Sequence, residues 1–188
     1  MARIAHLGWA CGGALLTLAA LHGHSAPPEP KTLVAEQFRL VDARGNTRAV
    51  LSCAPDGSPN LLFEDAQGHA RAQVGMKGSR SIVNLDDGDG KARVQLLVEE
   101  DGSVGLALHD AQGHARVTLS LAPDGSPTLA LRDKTGVPRA SLEIFKGKPY
   151  FNLSDDQSQA AAAMLIGVTN EPTILLRDKD GKPLWGAP

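Results

Sequence analysis

The sequence predicts an all-β fold of about seven tandem β-hairpins, and three observations carry that reading. An aspartate recurs at Asp42, Asp65, Asp87, Asp110, Asp133, Asp155 and Asp178, at intervals of 22 or 23 residues. A fixed period on this scale is the mark of a repeat architecture. Apolar residues alternate with period two on both sides of each aspartate, as in half-buried strands. A glycine lies three residues after the aspartate at Gly45, Gly68, Gly90, Gly113, Gly136 and Gly181, where a tight hairpin turn needs positive φ.

Composition agrees. The chain has 188 residues, 42% of them hydrophobic and 21% charged, with a formal net charge of −2. This is too apolar and too balanced for a disordered chain. It lacks the basic excess of a nucleic-acid binder. No long charge-free stretch follows the first 30 residues, so no internal membrane span is expected.

The chain opens on an address. Arg3 supplies a positive start, Leu7 to Leu21 carries no charge, and Gly23 and Ser25 are small. That is the layout of a secretory signal peptide cleaved after Ser25. Residues 1–25 are read as the signal peptide, and 26–34 as a linker containing Pro27, Pro28 and Pro30. Residues 35–188 form the repeat domain. The expected destination is the periplasm or the exterior. The alternative is an uncleaved membrane tether, for which the apolar run falls short of the ~20 residues that span a bilayer. Cleavage leaves Cys53 as the single cysteine. By phase it falls on the apolar face and reads as buried and inert.

The repeat reads Leu-x-Leu-x-Asp-x-x-Gly-x-x-Arg-Ala-x-Leu. Before the aspartate stand pairs such as Phe38/Leu40, Leu61/Phe63, Val83/Leu85 and Leu106/Leu108. After the arginine stand Ala49/Leu51, Ala72/Val74, Val94/Leu96 and Val117/Leu119. A two-residue loop on Arg44-Gly45 would pair Leu40 with Ala49 and Phe38 with Leu51, placing all four on one face. A three-residue loop would put Leu40 opposite Arg48. The second turn reads Pro55-Asp56-Gly57-Ser58-Pro59 and Pro123-Asp124-Gly125-Ser126-Pro127, and its length varies. Ala160–Ile166, the segment closest to a helical pattern, is read as a strand.

These strands share one strongly apolar face. Burying each of its larger side chains is worth roughly 1.5–3 kcal/mol, so the face calls for a cover. A barrel of fourteen strands would be too wide for Leu and Ala to fill. The expected solution is a coiled, solenoid-like antiparallel array whose halves face each other. The alternative is a sheet completed by packing on another copy. The opposite face is mixed: Arg39, Asn60, Glu64, Asn84, His109, Arg132, Asn152 and Arg177 alternate with Val41, Leu62, Ala107, Ala130 and Leu175.

The polar columns are read first as turn chemistry. An aspartate at a turn start accepts hydrogen bonds from the backbone two residues on. One carboxylate per repeat is too sparse for a calcium ladder. Arg48, Arg71, Arg93, Arg116 and Arg139 form a column that either pairs with the aspartate six residues earlier or makes a stripe for a polyanion. His69 and His114 occupy equivalent turns and are not expected to converge on a metal. Phe38, Phe63, Phe145, Tyr150, Phe151 and Trp185 are the candidates for stacking on a sugar. No serine elbow, Cys-His pair, His-Glu-x-x-His, phosphate loop or dinucleotide fingerprint occurs. No catalytic, cofactor or metal residue is assigned. Unit six departs from the pattern at Ser158 and Ala161, which reads as drift or capping.

The units resemble those of exported bacterial proteins built from tandem Asp-x-x-Gly-x-x-Arg hairpins joined by Asp-Gly-Ser-Pro turns. Those proteins often end much as this chain does, at Gly181-Lys182-Pro183-Leu184-Trp185-Gly186-Ala187-Pro188. The similarity covers roughly 36–188 and implies export and hairpins but no activity. A weaker likeness to Tyr-Asp hairpin repeats lacks their tyrosine, and one to MORN repeats lacks their aromatic-glycine signature. The expected function is a non-enzymatic, exported structural or protein-interaction module of the cell envelope. The alternative is a polyanion- or glycan-binding protein using the arginine column. The expected partner is a protein or an envelope glycan, with a homo-oligomer as a further option and no nucleic acid.

Overall fold

The structure is a computed structural model that describes residues 32–156, 160–167 and 169–187. The expected leader and the start of the linker lie outside those residues, as does Ser158. From Ala35 onward the chain forms one compact unit. Its seven hairpins pair β1 (Gln37–Val41) with β2 (Thr47–Cys53), β3 (Pro59–Glu64) with β4 (Ala70–Lys77), β5 (Arg80–Asp86) with β6 (Ala92–Val98), and β7 (Val104–His109) with β8 (Ala115–Leu121). β9 (Pro127–Arg132) then pairs with β10 (Pro138–Phe145), β11 (Lys148–Ser154) with β12 (Ala160–Ile166), and β13 (Pro172–Arg177) with β14 (Pro183–Ala187).

All fourteen strands form a single antiparallel sheet in chain order. The segment Ala160–Ile166 is a strand, as expected. The sheet is open, and each strand meets only its sequence neighbours. The halves of the array do not face each other, so no other strand covers the apolar face. Among the described residues only Ala49, Ala130, Ala163 and Ser58 are buried. A single layer has two surfaces and no interior. What holds this one is the backbone ladder and the side-chain pairs across neighbouring strands.

The pairings follow the hydrophobic phase. Phe38 faces Leu51 and Leu40 faces Ala49. The loop that achieves this differs from the expected two-residue turn. The Gly45 N–H donates to the Asp42 carbonyl at 2.9 Å, and the Asp42 N–H donates to the Asn46 carbonyl at 2.9 Å. The loop is therefore three residues, Ala43 to Gly45, with Gly45 at φ +85°. Left alone, that loop would set Leu40 against Arg48. Instead the register shifts between Leu40 and Val41, because Val41 faces Thr47 and Leu40 faces Ala49. Arg48 is the extra residue of a β-bulge. The same shift recurs in all seven hairpins, leaving Arg71, Arg93, Arg116, Arg139, Ala161 and Leu184 as the other extra residues.

The turns at the other end of the strands need no bulge. Two builds occur there. Three-residue loops close at 54–58, 99–103, 122–126 and 167–171. Two-residue loops close between Lys77 and Arg80 and between Phe145 and Lys148.

Candidate functional site

The aspartate turns organise one edge of the sheet. In the first, the N–H groups of Arg44 and Asn46 donate to Asp42 Oδ1 at 2.9 and 3.0 Å. Asp65, Asp87, Asp110, Asp133 and Asp178 take the equivalent pair of bonds. This is the turn chemistry expected from the sequence. It stabilises the ionised form. Loss of water contact pushes the Asp42 carboxyl up, but the Asn46 and Arg44 N–H groups and the Asn46 and Arg48 side chains outweigh it and hold it at about 2. In Asp133 the Thr135 hydroxyl leads, opposed by desolvation and aided by the Thr135 and Val137 N–H groups and Arg139. The net effect places that carboxyl well below the ordinary range.

In the first five hairpins the second oxygen of the aspartate faces the bulge arginine. Arg48, Arg71, Arg93, Arg116 and Arg139 approach their own-turn Oδ2 at 2.5, 3.3, 3.6, 3.4 and 2.6 Å. Four of them also donate to a backbone carbonyl of the next hairpin. Arg48 reaches Asp65, Arg71 reaches Asp86, Arg93 reaches His109 and Arg116 reaches Arg132. The bulge explains the residue type. An extra residue has no ladder partner, and a long side chain with several donors can tie its own turn to the following strand. The column is thus a line of compensated ion pairs rather than a stripe of unopposed charge.

The other candidates disperse. His69 and His114 each lie 3.6 Å from the aspartate of their own turn. Among the described residues no group of three or more His, Cys, Asp or Glu side chains is placed to hold a metal ion. Cys53 lies on the apolar face but is exposed, because no second layer covers that face. Ala161 occupies the arginine's bulge position, so unit six keeps the geometry without the guanidinium.

Of the six aromatics, Phe38, Phe63, Phe151 and Trp185 lie on the apolar face. Phe145 and Tyr150 lie on the other face and line one open hollow of about 670 Å³ with Lys146, Lys148 and Glu143. This meeting is not legible in the pattern of residues, since it depends on the two-residue turn at Lys146-Gly147. A second hollow of about 590 Å³ on the same face is floored by Gln73, Asn84 and Gln95. These amides form a cross-strand ladder. Asn84 Nδ2 donates to Gln73 Oε1 at 3.4 Å, and Gln95 Nε2 donates to Asn84 Oδ1 at 3.2 Å. Gly75 sits beside it because a Cβ there would lie 2.6 Å from the Pro59 carbonyl oxygen.

The largest feature is the apolar face itself. Its middle row includes Phe38, Leu51, Val74, Leu96, Leu119, Leu142 and Met164, each well exposed. At the paired positions of the described strands it carries no charged side chain by register, and the bulge arginines stand at its aspartate edge. A continuous apolar surface of this kind exceeds what monomeric soluble proteins ordinarily expose.

No model of a known protein family matches the sequence, and no curated protein matches it. Among solved structures, the chain is similar to a mutant of S. aureus TarM in complex with Fondaparinux, alpha-GlcNAc-glycerol and UDP. The TM-score is 0.29 at 10% sequence identity, over 66% of this chain and 21% of that one. A likeness that weak bears on neither fold nor activity.

Proposed function

We propose that the protein is an exported, non-enzymatic structural or protein-interaction module of the cell envelope. The observation that carries this reading is the uncharged, exposed apolar face running across every hairpin. Catalysis draws on one unique constellation of reactive groups. Here the polar side chains repeat from unit to unit and are engaged in holding turns. No described helix is long and apolar enough to cross a membrane. Export rests on the signal-like residues 1–25.

The second reading, a polyanion or envelope-glycan binder, draws on the arginine column and on the two hollows of the mixed face. Its weakness is that each arginine already faces a carboxylate.

One experiment separates these readings. The purified protein is passed over an immobilised acidic polysaccharide at rising salt and is assayed for glycoside, ester and peptide hydrolysis. The module reading expects no turnover, and no retention that depends on the arginines. Retention that falls steeply with salt and is lost in Arg93→Gln/Arg116→Gln would replace it with the polyanion reading. Robust turnover would overturn both.

A further inference from the structure

We infer that the apolar face is covered by the same face of a second copy of this chain. The inference deepens the module reading above and rests on it.

The first argument is shape. In the row nearest the aspartate turns, the odd strands carry large residues: Leu40, Phe63, Leu85, Leu108, Leu131 and Leu153. The even strands between them carry Ala49, Ala72, Val94, Val117, Ala140 and Ala162. The large members are exposed and the small ones recessed. Strands lie about 4.8 Å apart, so knobs recur roughly every 9.6 Å with a hole between. A facing layer interdigitates when large residues meet small ones. An identical array shifted by one strand does this across the first six hairpins, because it carries the same period; in the seventh, Trp185 stands where the small residue would. A partner of another kind would have to match that corrugation independently.

The second argument is charge. A charge buried where two copies meet needs an opposite charge across the interface, because residue i of one copy meets residue j of the other. At the paired positions of the described strands this face carries no charged residue, and the turn aspartates and bulge arginines at its edge pair with one another. Its polar side chains there are limited to small ones such as Ser81.

The third argument is area. Fourteen strands at about 4.8 Å spacing, with about five residues of about 3.3 Å each, give a face of roughly 1,100 Å². Pairing two such faces removes roughly 2,000 Å² from water, at or above the standard size of a stable interface.

The test uses the purified full chain. Light scattering should return a multiple of the 19.7 kDa chain mass at micromolar concentration. Leu96→Lys/Leu119→Lys should reduce it to single chains. Both leucines are already 43% and 49% exposed in one chain, so the far-UV strand signal should persist. Ser120→Lys, on the opposite face, should leave the mass unchanged. A second readout needs no variant: Met164, 53% exposed in one chain, should resist peroxide oxidation in the assembly. A single-chain mass for the wild type, an oligomer indifferent to the two lysines, or rapid oxidation of Met164 overturns the inference. A monomer would still leave the module reading standing with a different partner, whereas enzymatic turnover would remove that reading itself.

Discussion

The six described turns along the aspartate edge, from Asp42 to Lys182, share one build: a three-residue loop, an aspartate that gathers two N–H groups, and a bulge after it. The turns along the opposite edge mix three-residue loops with two-residue ones and carry no bulge. The difference follows from where the apolar residues sit relative to each turn. On the opposite edge, the pairs Leu51/Leu61 and Val74/Val83 already match the loops that join them. On the aspartate edge, the pair Leu40/Ala49 is one residue out of step with its loop. A one-residue slip would turn every following side chain to the other face. The bulge absorbs the extra residue, and arginine occupies it. The most regular polar column in the sequence therefore keeps register for the apolar one.

If this is right, acid should strike the aspartate edge hardest, and this is the largest effect expected. Asp42 moves from an ordinary 3.8 to about 2, and Asp65, Asp87, Asp110 and Asp133 are also lowered. A carboxyl lowered by folding contributes stability that is complete above its unfolded value and is lost as pH falls through its folded one. Thermal midpoints should be flat from about pH 6 to about pH 4 and should fall steeply from about pH 4 towards about pH 2. The opposite edge has its own lowered carboxyls, Asp56, Asp101 and Asp124, each held first by the N–H of the serine two residues on. Replacing those three with Asn should leave most of the acid sensitivity in place. A midpoint that declines already above about pH 5 would show that other groups set it.

Backbone strain sharpens the same comparison at a smaller scale. Gly113, on the aspartate edge, has φ +86° with open space where a Cβ would go. Gly113→Ala should cost roughly 1–2 kcal/mol from conformation alone. On the opposite edge Lys146 holds φ +50° without being a glycine. Lys146→Gly should therefore stabilise, by roughly 0.5–1 kcal/mol after the added chain entropy. Denaturant midpoints measure both. Equal signs at the two sites would break the distinction between a turn fitted to its residues and one that is not.

Much of this is legible in the sequence. The period of the aspartates located the hairpins, and the phase of residues such as Phe38, Leu40, Ala49 and Leu51 fixed which side chains oppose one another. The loop length was not legible. Two errors of one residue cancel when a loop lengthens and a bulge follows, so Leu40 meets Ala49 either way. The fate of the apolar face was also out of reach. Periodicity reports that a face avoids water and is silent on what covers it. Cys53 shows the consequence, assigned to the right face and exposed there for want of a second layer. The hollow beneath Phe145 and Tyr150 was hidden for a different reason, since two residues on opposite sides of a turn become neighbours only through its geometry.

The smallest effect bears on what the bulge arginine contributes. In hairpin seven Leu184 fills that position and is 68% exposed. Asp178 there accepts the N–H groups of Asp180 and Lys182 as its counterparts do. Leu184→Arg would restore the guanidinium opposite this carboxylate. An exposed pair of this kind is worth about 0.2–1 kcal/mol, and salt near 1 M should erase it. β14 is the outermost of the described strands, and none of them lies beyond it to offer the carbonyl that Arg48, Arg71, Arg93 and Arg116 reach. The substitution therefore isolates the ion pair from the bond between hairpins. A salt-sensitive gain in the denaturant midpoint would give the pair a value of its own. No gain, set against a clear loss in Arg93→Gln, would place the arginine's value in joining one hairpin to the next.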